Sequence, residues 1–462
     1  MVPGGEKSGR AAQRSLGTRL LWTWRYGTQR LIQQRYPFRS PAAIERAQRR
    51  RIREMVGYAH RFVPYYRETM SRLGIRPEDI VTAAGLGQLP RIEREQLQRD
   101  PLYFVSEELP LERYLMLQTG GSSGEPLTVM RGPVRADQLG HHERGRAVER
   151  RLSRRPRGAR LLNISSPLAP ASILRRQFGE QLLPPSFLAT KRLDLSLTDP
   201  VARALDAMNE FRPDVVISYG SYLEELFQHA RRSGVGFHRP ALVVYHSDAL
   251  SEPARRMISE KLGIEVLTYY SAVEAPAIGF ECEEHRGLHL NHDLYPLRIV
   301  DESGEELPDG ESGEVVVSNL VYRGTVLLNY RLGDVAAKLP GACPCGRSLP
   351  LLSFLEGRVG DWVSTPEGGR VHPQLVRIQF TEENEVWSYQ VVQRAPSRFS
   401  IAVVAAPGCD RAALETRLAA KFGAVFGEET TVDVSFVDTI PRTARGKVRT
   451  VVALADGQGG AR

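Results

Sequence analysis

Val215-Val216-Ile217-Ser218-Tyr219-Gly220-Ser221 is an apolar run that ends in hydroxyls and a glycine and passes at once into a helical stretch, 221–233. Runs of the same kind stand at Leu161 to Ile164, Leu242 to Tyr245 and Val266 to Tyr269. Helical stretches at 200–211 and 252–262 fall among them. Short apolar strands alternating with helices predict a parallel, doubly wound α/β sheet. Ligands of such sheets bind at the carboxyl ends of the strands. That is where Ser218-Tyr219-Gly220-Ser221, Tyr245-His246-Ser247-Asp248 and Tyr269-Tyr270-Ser271 fall.

The pattern changes on both sides of this region. Downstream, Leu297 to Asp301, Glu314 to Asn319 and Val326 to Asn329 are strand-like, with turn residues Ser303-Gly304 and Asp309-Gly310 between them. They predict a small antiparallel sheet or barrel. After Gly357-Arg358, strands at Trp387 to Val392, Ser400 to Val404 and Thr431 to Phe436, with a helix over 410–422, predict a compact α+β lid. Upstream, Ser40 can cap a helix that has Pro41 at its first position and Ile52, Met55, Val56, Ala59 and Phe62 on one face. Phe62 to Arg67 ends that helix, and a short one covers Glu93 to Gln98. Residues 1–40 are rich in arginine and predict a helix laid on the main body. The expected division is a basic helical extension over 1–52, a large domain over 53–357 and a lid over 358–462.

Of 462 residues, 42% are hydrophobic and 25% charged, the balance of a globular chain. The formal charge is +8, with the basic residues crowded into the first sixty positions. No nucleic-acid recognition motif accompanies that charge, and aromatics are not interleaved with it on strands, so no nucleic-acid partner is expected. No apolar run approaches the roughly 20 residues of a spanning helix, and none has the form of a secretory core. No membrane span and a cytoplasmic location are the expectation. Four cysteines do not make a disulfide framework in a chain of this length.

Five segments carry chemistry. In Gln118-Thr119-Gly120-Gly121-Ser122-Ser123-Gly124-Glu125-Pro126, after the strand-like Tyr114 to Leu117, glycines turn the backbone N–H groups to one side and hydroxyls join them. Such a loop suits a polyphosphate, although alone it reads as an ordinary turn. It is not a Walker A loop, because no Gly-Lys-Ser/Thr closes it. In Tyr269-Tyr270-Ser271-Ala272-Val273-Glu274, an aromatic can stack on a base and a carboxylate can hold Mg²⁺. Asp334 of Tyr330-Arg331-Leu332-Gly333-Asp334 could accept from two ribose hydroxyls. Glu356-Gly357-Arg358-Val359-Gly360-Asp361 reads as a linker, and Pro441 to Arg449 is a basic loop from which Lys447 could reach a phosphate.

In this order the segments resemble the adenylate-forming superfamily of acyl-CoA synthetases and adenylation domains, above all its phenylacetate–CoA ligase-like branch with the CapK-type proteins. The likeness runs from about Arg53 to Val452 and includes Val63-Pro64-Tyr65-Tyr66-Arg67, Gly74-Ile75 and Leu89-Pro90. It implies that Thr119, Gly120, Gly121, Ser122, Ser123 and Gly124 hold the phosphates of ATP, with Tyr270 and Ser271 at the adenine. It places Glu274 on Mg²⁺, Asp334 on ribose with Arg358 beside it, Gly360 at the hinge and Lys447 in the adenylation step. Val273 and Leu332 stand where the family usually has hydroxyl residues.

Cys282, His285, Cys343 and Cys345 supply three thiolates and an imidazole, the ligand set of a closed structural zinc site, with His289 as the competing nitrogen. Cys343-Pro344-Cys345-Gly346-Arg347 also resembles the CapK-type branch, where such a site occurs. The alternative is buried thiols without a metal. Cys409 reads as a plain thiol.

The reaction implied is ATP-dependent conversion of a carboxylic acid to an acyl-adenylate, then transfer to the thiol of CoA or of a carrier-protein phosphopantetheine. An amine acceptor, or a catalytically degenerate regulatory protein of the same fold, stays open beside it. Candidate acyl-pocket residues are Tyr219, Ser221, Tyr245, Ser247, Ala272 and Ala277, a set suited to an aryl or small polar acid. An acyl carrier protein and a second copy of the chain are the partners considered.

Overall fold

The structure, a computed structural model, describes residues 15–118, 127–135, 138–153, 158–167, 169–179, 182–183, 190–358, 363–366, 370–371, 376, 379–380, 383, 385–440 and 450–454. Helix α1 (Leu16–Arg35) starts at Ser15, whose hydroxyl accepts from the Thr18 amide at 3.3 Å. Helix α2 (Pro41–Phe62) buries Ile44, Ile52, Met55, Val56 and Ala59 at helical spacing and runs unbroken across residue 52. Ser40 makes no side-chain cap; the fixed φ of Pro41 at the first position sets the helix going instead. Helix α2 ends at Phe62, as the sequence suggests, but the chain turns helical again at once. Val63 alone is extended, as a residue before proline prefers, and Pro64 opens helix α3 (Pro64–Leu73), which Gly74 closes at φ 67°.

Helix α4 (Arg94–Arg99) follows, and then strands β1 (Leu115–Gln118) and β2 (Thr128–Arg131), paired antiparallel around the loop of residues 119–126. The loop itself lies outside the described residues.

The alternating region is built from α5 (Glu143–Leu152), β3 (Arg160–Ile164), α6 (Pro170–Gly179), β4 (Lys191–Leu195), α7 (Val201–Phe211), β5 (Val215–Tyr219), α8 (Gly220–Ser233), β6 (Leu242–His246), α9 (Glu252–Arg256) and β7 (Glu265–Tyr270). The five strands are parallel in the order β4-β3-β5-β6-β7. Val216, Val243 and Val266 join one core with α7 and α8, while Val215, Leu242, Val244 and Leu267 join another on the opposite face. Both faces being covered explains why these strands are apolar throughout. β4 sits at the edge and reads Lys-Arg-Leu-Asp-Leu; its charges suit an edge strand and leave it without an apolar run.

The antiparallel part is continuous with this sheet. β8 (Gly279–Glu281) pairs with β7, β9 (Leu288–Leu290) with β8, and β13 (Leu351–Leu352) with β9; from β13 the path runs to β12 (Tyr330–Leu339), β11 (Ser312–Val317) and β10 (Leu297–Val300), while β14 (Gly357–Arg358) pairs with β12. Val326 to Asn329, expected as a strand, is connecting backbone. Asn329 takes φ 58°, which a strand cannot continue, and Leu328 donates its amide to the Tyr66 hydroxyl at 2.7 Å. The strand begins one residue later and contains the whole Tyr330 to Asp334 segment.

At the end of the chain come the short β15 (Val363–Ser364) and β16 (Arg370–Val371), then β17 (Val386–Ala395), β18 (Arg398–Ala405), helix α10 (Arg411–Phe426), β19 (Thr431–Phe436) and β20 (Val451–Val452). They form the sheet β19-β18-β17-β20 and a core of their own around Phe380, Phe399, Phe422 and Phe426. This unit meets the rest at α8 and α9. Gln228 Nε2 donates to the Trp387 carbonyl at 2.9 Å, Arg232 Nη1 to the Asp438 carbonyl at 2.7 Å, and the Arg231 guanidinium lies 4.8 Å over the Trp387 ring. Among the described residues, no helix is long and apolar enough to cross a membrane.

Candidate active site and cysteine cluster

β7 ends at Tyr270, whose hydroxyl donates to Asp334 Oδ2 on β12 at 2.9 Å. Two of the residues singled out for the nucleotide, 64 positions apart, are therefore in contact at the carboxyl end of the parallel sheet. Asp334 also stands opposite Arg358 in the backbone ladder. Beyond Tyr270 and the exposed Ser271 the chain makes a tight turn, with Ala272 and Ala275 exchanging backbone hydrogen bonds at 3.1 and 3.2 Å. The turn buries Glu274. Its carbonyl accepts from Asn319 Nδ2 at 2.7 Å, and its Oε1 lies 3.4 Å from the Tyr330 hydroxyl and 3.9 Å from Arg94 Nη1. Val273 and Leu332 lie against the apolar core. Thr119 to Gly124, Gly360 and Lys447 lie outside the described residues, as does the side chain of Arg358.

Three neighbours of this site carried no sequence signal. Arg131, at the end of β2 directly after the glycine loop, is buried, donates to the Val273 carbonyl and lies 3.7 Å over the Tyr322 ring. Burial lowers its pKa below the ordinary arginine value. It ties the strand that follows the loop to the turn that carries Glu274. Arg94 and Asn319 likewise reach Glu274 from elements with no motif.

The acyl candidates separate. Tyr219 ends β5, is buried beside Ser247, and its ring is 5.5 Å from that of His246. His246 Nδ1 is 2.7 Å from Ser247 Oγ, and Ser247 takes φ 72°. Tyr219 pairs with His246 in register, so the two share a face; Tyr245 pairs with Ser218 and turns its hydroxyl to Arg255 Nη1 at 3.3 Å. His246, for which the sequence carried no signal, is therefore the neighbour of Tyr219 on that face. Ser221 is engaged at the start of α8, donating its hydroxyl to Asp248 Oδ2 at 2.6 Å and its amide to Oδ1 at 3.3 Å. Ala277 offers its carbonyl to Asn291 Nδ2 at 2.8 Å, and Ala272 is half-buried at the core edge.

Cys282, His289, Cys343 and Cys345 bring one donor atom each to within 4.8 Å of one another. The Cys282 and Cys343 sulfurs are 3.7 Å apart, and Cys345 Sγ is 3.2 Å from His289 Nε2. A tetrahedral zinc with bonds of about 2.3 Å separates two sulfurs by about 3.8 Å, so the donor set fits that ion. Cys282 and Cys343 each open a tight turn, their carbonyls accepting from the amides of His285 and Gly346, both at 3.2 Å. His289 Nδ1 faces the Leu349 carbonyl at 3.4 Å, the kind of outer contact that fixes which ring nitrogen is left to ligate. Burial pushes the Cys282 and Cys343 thiols up and brings the His289 imidazole down to about 4, keeping it neutral.

His285 is not in this group. It sits at φ 51° in the turn after Cys282, and its ring leaves for two carboxylates, Nε2 lying 2.5 Å from Glu265 Oε1 and Nδ1 2.7 Å from Glu281 Oε1. Those bonds raise its pKa to about 9, so it is a cation and unfit to ligate. The nitrogen donor is His289, brought in by the pairing of β9 with β8 and β13. Cys409 lies apart, 3.8 Å from Glu385 Oε2.

Residues 363–453 match the family model of the CapK C-terminal domain. A phenylacetate–coenzyme A ligase of Thermus thermophilus is 28% identical over 365 residues, covering 75% of this chain and 77% of the relative. One of Pseudomonas putida is 25% identical over 368 residues, covering 75% and 79%. Among solved structures, a 2-hydroxyisobutyryl-CoA ligase in the postadenylation state with R3-HIB-AMP shares the fold at a TM-score of 0.73 and 18% identity, over 91% of both chains. The order of motifs, the Tyr270–Asp334 contact and these likenesses agree: the chain has the fold of the CoA ligases, is similar to phenylacetate–CoA ligases along three quarters of its length, and matches the CapK C-terminal domain model at its end.

Proposed function

We propose that the protein is an AMP-forming ligase that activates a small carboxylic acid with ATP and passes the acyl group to CoA. The observation that carries this is the contact of Tyr270 with Asp334 at the end of the sheet, with Glu274 buried close by. Relatives named as phenylacetate–CoA ligases along three quarters of the chain support it. The Tyr270 ring takes the adenine, Asp334 accepts from the ribose, and the glycine loop over 119–124 binds the phosphates. Glu274 is the carboxylate that would hold Mg²⁺, which supplies charge neutralisation at the phosphates. Arg94 and Arg131, both beside the Glu274 turn, add positive charge on the same side. The substrate carboxylate attacks the α-phosphorus and pyrophosphate leaves; catalysis is positioning and charge stabilisation, with Lys447 delivered by the lid.

Residues 53–357 act as the main body and 358–462 as the lid, hinged near Gly360. Tyr219, His246 and Ser247 line the acyl end, where one ring and two hydrogen-bonding groups favour an aryl or small polar acid. Cys282, His289, Cys343 and Cys345 hold a structural zinc that ties β8, β9 and the 343–347 turn together. The test is a panel of carboxylic acids with ATP, read by AMP release with and without CoA. A CoA-dependent acyl thioester with at least one aryl or small polar acid is the expected product. AMP release that amines drive and CoA does not would replace the thiol acceptor, and no release with any acid would remove the activity.

A further inference from the structure

Helix α1 lies on the protein with its polar side inward. Arg19 Nη2 donates to the Leu182 carbonyl at 3.0 Å, the Leu183 amide to Thr23 Oγ1 at 2.8 Å, Tyr26 to Glu143 at 2.8 Å, and Arg144 Nε to Gln33 Oε1 at 2.8 Å. Gln33 is the residue of this helix that is fully buried. The large apolar side chains face the other way: Leu16, Leu20, Leu21, Trp24, Leu31 and Ile32 are between 44% and 67% exposed. Positions 16, 20, 24 and 31 follow one face of a helix, and 21 and 32 widen it. A ridge of six such side chains amounts to several hundred Å², about the size that marks an interaction surface.

The charge of the helix says what that surface meets. Its 20 residues contain Arg19, Arg25, Arg30 and Arg35 and no acid. Arg25 and Arg35 are exposed alongside the apolar ridge, while Arg30 is drawn inward to Glu143 at 3.4 Å. We propose that α1 docks the protein on an anionic lipid surface, lying in the plane of the interface with Leu16, Leu20, Trp24 and Leu31 among the acyl chains and Arg25 and Arg35 at the headgroups. Shape favours lipid over a protein partner. A single convex ridge needs a groove cut to match it in a protein, whereas acyl chains flow around it. Charge disfavours a second copy, because two such helices packed together oppose their arginines with no acid on either helix to pair them. The arginines also keep α1 from spanning, so the mode is surface binding.

The experiment is flotation of the full-length protein with vesicles of phosphatidylcholine alone or with one quarter phosphatidylglycerol. Wild type floats with the anionic vesicles at least tenfold more than with the neutral ones. The triple variant Leu20→Gln, Trp24→Gln, Leu31→Gln loses that binding tenfold or more while keeping its thermal midpoint and its acid-dependent AMP release. Arg25→Gln with Arg35→Gln weakens it about thirtyfold, from about 1 kcal/mol for each arginine near the surface. Three results overturn the proposal: wild type that ignores anionic vesicles, a triple variant that binds as wild type does, or a wild-type dimer that the triple variant splits in sedimentation. The last would assign the ridge to a second copy.

Discussion

At pH 7 His285 is a cation clamped between Glu281 and Glu265. Its folded pKa of about 9 lies above the ordinary 6.5, so its contribution to stability is complete below about pH 6.5 and fades as pH rises through 9. The ring is more than a third exposed, and solvent screening holds that contribution to about 1 kcal/mol. His285→Gln should therefore lower the urea midpoint at pH 6 and match wild type by about pH 10. A deficit unchanged across that range would show that packing, not charge, is what the ring supplies. The cysteines behave differently. Cys343→Ser should release about one equivalent of zinc and lower the thermal midpoint, because binding to such a site is folding free energy. Cys409→Ser, outside the cluster, should do neither, and metal analysis with a thermal scan decides it. The cluster was visible in the sequence as three thiols and two candidate nitrogens. The choice between His285 and His289 was not, because spacing along the chain cannot show that Glu265 and Glu281 converge on one ring while β9 turns the other toward Cys345.

Among the elements, β5 and α8 join in a tightly packed corner at the site. A Cβ added to Gly220 would meet the backbone of Ala249 and Leu250 at 2.5 Å, where no side chain can swing away. Gly220→Ala should cost about 2 kcal/mol, typical of overpacking, and should displace Tyr219 and Ser221 from their contacts with Ser247 and Asp248. A drop in denaturation midpoint together with a raised KM for the acid is the expected pair; an unchanged KM would place the acyl end elsewhere. The parallel strands were legible because burial on both faces makes them uniformly apolar. β4 was not, since an edge strand carries charge, and neither was the start of β12, where the left-handed turn at Asn329 leaves no trace in hydrophobicity. The end of α2 was legible at Phe62, but the start of α3 was not, because Pro64 can mark the end of one helix as well as the first turn of the next.

For the molecule as a whole, the terminal unit rests on α8 through Gln228, Arg231 and Arg232, three polar contacts of a kind that a moving lid can exchange. Lys447 falls in sequence between β19 and β20 of that unit, while Tyr270, Glu274 and Asp334 stand on the large sheet. A group supplied across such a boundary acts when the lid is in one orientation. Lys447→Ala should suppress adenylate formation from acid and ATP by at least a hundredfold. It should keep thioester formation from synthetic acyl-adenylate and CoA near the wild-type rate. Equal loss of both half-reactions in folded protein would contradict an alternating lid.

Adenylate formation itself is tested most directly by exchange of labelled pyrophosphate into ATP, measured with an accepted acid in wild type and in Glu274→Gln. That substitution keeps the shape of a buried side chain and removes its charge. Adenylation that relies on the Glu274 charge requires exchange that depends on the acid in wild type and falls by at least a hundredfold in the variant, with nucleotide binding at Tyr270 retained. Exchange at the wild-type rate in Glu274→Gln, or none in wild type with any acid, would contradict it.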